Sequence, residues 1–111
     1  MSQNISLLPL PVLATAAITN QRFVTAGGAT ATAAGRALGV SRSDAASGER
    51  FTADVLGTAT VTASGVIAVD GQVEVGASGK AAAHSSGVVV ARALEAATAD
   101  GDVIEVLLIP N

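Results

Sequence analysis

The stretch Phe51-Thr52-Ala53-Asp54-Val55-Leu56-Gly57-Thr58-Ala59-Thr60-Val61-Thr62-Ala63 alternates residue by residue. Phe51, Ala53, Val55, Ala59, Val61 and Ala63 fall on one side with Gly57. Thr52, Asp54, Leu56, Thr58, Thr60 and Thr62 fall on the other. Side chains of an extended chain point alternately to opposite faces, so this is the pattern of a strand with one apolar and one mostly hydroxylated face. Glycine weakens a strand interior, and Gly57 marks a bulge or bend.

Outward from this strand the same reading holds. Asp70-Gly71 and Ser78-Gly79 bracket a short strand at Gln72 to Val75, the Asp-Gly pair suiting a turn with positive φ. The last two strands read as Val88 to Leu94 and Asp102 to Ile109, joined by Ala96 to Gly101. In the last, Ile104, Val106 and Leu108 share one face, and Val103, Glu105, Leu107 and Ile109 the other. Both faces are mainly apolar, the mark of a strand covered on both sides by its own fold or by a neighbour. Pro110 ends it. Glycines recur from Gly27 to Gly101 too often for long helices. The fold expected is mainly β: a small single-domain β-barrel or sandwich with short strands, little helix and an extended N-terminal arm.

The arm is Ile5-Ser6-Leu7-Leu8-Pro9-Leu10-Pro11-Val12-Leu13. Proline fixes φ, donates no hydrogen bond and keeps the preceding residue extended, so the segment is not a central strand. Residues 1–14 are read as the arm and 15–111 as one β-rich domain. No charged side chain precedes Arg22, yet the prolines and the absence of a basic start argue against a signal or an anchor. The chain is 50% hydrophobic but only 2% aromatic, its two aromatics being Phe23 and Phe51. Alanine buries one methyl group, whereas a buried Leu or Phe contributes about 1.5–3 kcal/mol. A chain so poor in large side chains is expected to be completed by other subunits. Its leucine-rich arm, an aggregation hazard in water, is expected to lie on something. The candidate contact residues are therefore Ile5, Leu7, Leu8, Leu10, Val12 and Leu13.

Little points to chemistry. The net charge is −3 and the six cations are spread singly, which disfavours nucleic acid. With no cysteine and one histidine, His84 in a polar loop, no metal-ligand set is assembled. Asp100-Gly101-Asp102 is too short for a calcium loop and reads as a turn. Gly76-Ala77-Ser78-Gly79-Lys80 lacks both the spacing and the hydroxyl of a phosphate loop and reads as a hairpin turn. Lys80 lacks the Ala-Met-Lys-Met flanks of a biotinyl carrier. No Gly-x-Ser-x-Gly elbow is present, and the carboxylates fall singly. No catalytic residue, cofactor, membrane or nucleic-acid partner is expected.

The chain resembles the small capsid cement, or head-decoration, proteins of tailed bacteriophages and prophages. The resemblance runs through Ile18-Thr19-Asn20-Gln21-Arg22-Phe23-Val24-Thr25, then Gly35 with Ala37-Leu38-Gly39-Val40-Ser41. It continues through Asp44-Ala45-Ala46-Ser47-Gly48-Glu49 and Asp54-Val55-Leu56-Gly57-Thr58-Ala59. It closes on Val90-Ala91-Arg92-Ala93-Leu94-Glu95-Ala96-Ala97 and the run from Gly101 to Pro110. It implies a virion structural protein without catalysis, made in the host bacterial cytoplasm. Such a protein binds the outside of the expanded capsid, commonly as a homotrimer at local threefold positions, and ties major capsid protein subunits together. The arm is the least family-like part, and its role follows from physics. Pro9 and Pro11 reduce the freedom lost on docking, so residues 3–13 are expected to pack on the capsid protein or an adjacent protomer, the alternative being an arm folded over its own domain. The other functional class is a surface or fibre-type module recognising glycan or host receptor; the absence of Trp and Tyr for stacking on sugars speaks against it.

Overall fold

The structure, a computed structural model, describes residues 5–111. The start of the arm, residues 1–4, lies outside the described residues. Eight strands form one sheet: β1 (Ser6–Leu13), β2 (Phe23–Val24), β3 (Gly39–Ser41), β4 (Arg50–Thr62), β5 (Gln72–Val75), β6 (Ala81–Ala83), β7 (Ala91–Ala93) and β8 (Val103–Leu108). The order is β2-β3-β4-β8-β7-β5-β6, with β1 also on β4. A parallel bridge between Ala63 and Ala81 brings β6 back to the end of β4, so the sheet curls into a barrel. One 3₁₀ turn, Ala77–Gly79, joins β5 to β6, as the hairpin reading anticipated.

The alternation read from the sequence is realised in β4. Phe51, Ala53, Ala59, Val61 and Ala63 are buried. It breaks around Gly57, which has a φ of 97° and lies so close to the Ile5 carbonyl that a Cβ would meet its oxygen. This irregularity lets one strand serve two neighbours: β1 pairs with residues 50–57 and β8 with residues 58–62. The arm is therefore an antiparallel strand on β4 of its own chain, with Val12 opposite Phe51. Val88 to Leu94 contracts to Ala91–Ala93. In β8, Ile104, Val106 and Leu108 are buried as expected. The other face is not covered, for Val103 and Leu107 are exposed and only Glu105 between them is buried.

The backbone plan occurs twice. Ile18 and Ala45 exchange hydrogen bonds, as do Ile67 and Ala97. Ala14 bonds both Gly48 and Glu49, as Ala63 bonds Gly101 and Asp102. Gln21 and Arg22 clasp Ser41 as Asp70 and Gly71 clasp Ala93; Leu38 N–H reaches Val24 as Val90 N–H reaches Val73. Gln21 and Asp70 even share a left-handed conformation, φ 56° and 66°. The first half runs from β1 to the first part of β4; the second runs from the rest of β4 to β8. Ala14, Ile18, Val24, Ala45 and Gly48 recur as Ala63, Ile67, Val73, Ala97 and Gly101. Arg-Ala-Leu at 36–38 and 92–94 is a false match, because the counterparts of 36–38 are residues 88–90.

Candidate functional site

Two apolar faces remain open. On β1 the side chains alternate: Val12 enters a cluster with Ala14, Ile18, Val24, Ala45, Phe51 and Ala53, and Leu10 is half-buried. Ile5, Leu7, Leu8 and Leu13 are exposed, Leu7 by 74% and Leu13 by 47%. The six candidate residues thus divide between a core and a surface. The sequence pattern could not separate them, because prolines and a register shift at Leu8 interrupt the period. The second face is the outside of β8, with Val103, Leu107 and Ile109. The two meet at Thr58, whose N–H donates to the Ile5 carbonyl (2.9 Å) and which lies opposite Leu107.

The edge of β1 away from β4 is shaped by its prolines. Ala14 N–H donates to Glu49 O, so by strand alternation Val12 and Leu10 direct their N–H groups at β4. Pro9, Pro11 and Leu13 then face the free edge, where both prolines offer no donor. The sheet edge is blunted against strand addition. Beside it lies an open cavity of about 440 Å³ lined by Leu10, Val12, Leu13, Ala26, Gly27 and Leu38. A second, of about 220 Å³, adjoins it through Ala26 and Leu38 and reaches Arg36 and Asn111. Leu38 and these cavities were not legible in the sequence, since Leu38 follows Arg36-Ala37 in no periodic strand.

Carboxylates that fall singly in the sequence, and His84, bond within the fold. Asp54, buried in β4, takes a two-pronged contact from Arg42, whose Nε donates to Oδ2 at 3.4 Å. Glu74 Oε1 accepts the N–H groups of Ser85 (2.7 Å) and Gly87 (3.0 Å). These bonds, the one from Ser85 foremost, hold its carboxyl below the usual range against the opposing effect of desolvation. Asp102 Oδ2 accepts from Thr98 N–H (2.8 Å), Thr98 Oγ1 (2.9 Å) and Ala99 N–H (3.2 Å), which depress it in the same way. Asp100-Gly101-Asp102 is thus a turn. His84 is an exposed loop residue with Nε2 2.9 Å from Gly87 O. Among the described residues no three His, Asp or Glu side chains gather as a metal site, and no helix is long and apolar enough to cross a membrane. What the geometry does offer is docking surface, on the open faces of β1 and β8.

A family model described as phage cement protein matches residues 2–108. Among solved structures, the head fiber gp8.5 N base in bacteriophage phi29 matches with a TM-score of 0.74 at 17% identity, over 92% of this chain and 93% of that one. At that identity the likeness speaks for the fold alone. No curated protein matches the chain in sequence.

Proposed function

The chain belongs to the phage cement protein family, and from that premise we propose that it binds the outer surface of the mature capsid as a homotrimer and cements neighbouring major capsid protein subunits. The family makes the role structural and capsid-associated. The trimer, the subunit-bridging action and synthesis in the host cytoplasm are the finer parts of the reading, and it involves no catalysis. The observation that supports it is the pair of open apolar faces on β1 and β8, which place Leu7, Leu13, Val103 and Leu107 in water in the isolated chain. Exposed apolar surface of this kind marks a contact site. Each contact is small, but a shell offers many identical sites and linked contacts reinforce one another.

Co-sedimentation with expanded and unexpanded capsids tests the reading. Binding to expanded capsids alone is the expected result, and binding to neither removes the cement reading. Leu7→Ser with Leu107→Ser is expected to weaken binding about tenfold or more, with fold stability changed by about 0.5 kcal/mol or less at these exposed sites. Unchanged binding by that variant removes the apolar faces from the account. The glycan- or receptor-recognising reading draws support from the likeness to a head fiber, but that likeness is to the fibre's base. Glycan-array binding without capsid binding would establish it.

A further inference from the structure

The second half of the barrel is completed by the first. Ala34 inserts between β5 and the strand region before β7, its N–H donating to Val75 O (2.8 Å) and its carbonyl accepting Val88 N–H (3.1 Å). Ala34 is held at a φ of 64°, a conformation costly for a residue with a Cβ, so the surroundings impose the insertion. Nearby, Thr62 N–H donates to the Gln21 carbonyl (2.9 Å).

The duplicated plan locates the same receiving groups in the first half. Val75 corresponds to Ala26, Val88 to Arg36 and Thr62 to Leu13. These three line the two adjoining open cavities. Neither the Ala26 carbonyl nor the Arg36 N–H has a hydrogen-bond partner among the described residues. The inserting segment recurs in the second half on an exposed loop. Counted back from Leu38 and Val90, Ala34 corresponds to Ser86, in a loop whose N–H groups are held by Glu74 and whose Ser86 carbonyl accepts no bond among the described residues; Gln21 corresponds to Asp70 in its left-handed turn. Ser86 and Asp70 are exposed. Arg36 on the receiving face and Asp70 on the inserting face are opposite charges, and neither has an ion pair among the described residues.

We propose that a second copy of this chain docks there, its Ser85–Gly87 loop and Asp70 turn seated on Ala26, Arg36 and Leu13 of the first. The contact repeats between chains the one already made within the chain. It is head-to-tail, so it leaves each copy with one face to give and one to receive, and three copies complete a ring when each contact turns by a third of a circle. Pro9 and Pro11 keep the contact from spreading into a continuous sheet. The inference rests on the homotrimer reading and names its interface.

The chain contains no cysteine, which permits a clean test. Ala26→Cys and Ser86→Cys variants of the full chain, mixed and mildly oxidised, are expected to form a disulfide-linked pair that an Ala26→Cys and Val66→Cys mixture does not. Arg36→Asp and Asp70→Arg are each expected to weaken self-association about tenfold, and the double variant to restore it. Light scattering separates the outcomes. Oligomers with the cross-link and the charge-swap rescue support the interface. A trimer with neither overturns the interface and leaves the homotrimer standing. A chain monomeric at every concentration overturns both.

Discussion

Ile18 and Ile67 hold the same place in the two halves of the barrel, each bridged to an alanine, yet their surroundings differ. Ile67 lies in the main cluster, which takes Phe23, Ala31, Ala37 and Val40 from the first half. Ile18 lies in a smaller group of seven buried residues, open to the cavities beside Leu38. One backbone plan is thus finished from within in the second half and left receptive in the first. The halves diverge in which cluster their core side chains join and in the bonds that Ala34 makes to Val75 and Val88, for which Ala26 and Arg36 have no counterpart among the described residues.

The largest effects should come from this contrast. Ile67→Ala is expected to cost about 2–5 kcal/mol, with Ile18→Ala at the lower end of that range; urea unfolding of the pair measures it. An equal or greater loss at Ile18 breaks the claim that the first half is the looser one. Next come Gly48 and Gly101, with φ of 90° and 95° and open space where a Cβ would stand. Alanine at either should destabilise by about 1–2 kcal/mol and by similar amounts, and a clear inequality would count against the duplicated plan.

A smaller effect separates Asp102 from its counterpart Glu49. Asp102 accepts three hydrogen bonds, whereas Glu49 Oε1 accepts one, from Ala46 N–H (2.8 Å). Asp102→Asn should lower the melting temperature at pH 7 more than Glu49→Gln. Because folding depresses the carboxyls of Asp102 and Glu74, their stabilisation is full at neutral pH. It is lost as pH falls below the ordinary carboxylate range of about 4. Thermal melts at stepped pH should show Asp102→Asn with a shallower acid limb than the native chain; identical limbs would deny Asp102 this role.

The elements visible in the sequence are those with enough length or bulk to show a period. β4 alternates over many residues, β8 shows as a nearly continuous apolar run, and the short strand at about Gln72 to Val75 stands between turn signals and is β5. β2, β3 and β6 have two or three residues each, so no period can develop, and their pairing is decided by the rest of the sheet. Val88 and Val90 look like strand residues, yet Val88 bonds the inserted Ala34 rather than a ladder partner. The duplication was hidden because few identities survive it, while the repeated Arg-Ala-Leu points to the wrong alignment. At the surface, the arm's apolar content was legible. The division that buries Val12 and exposes Leu13 was not, because it depends on the register with β4.

β4 is a single strand of 13 residues bonded to β1 along its beginning and to β8 along its end. Its ladder bonds lie across the strand direction. A pull that draws the two halves apart along this strand must therefore shear a row of bonds together instead of unzipping them singly. The same strand that passes the core from one half to the other is thus the domain's tension member, resisting its own division into two.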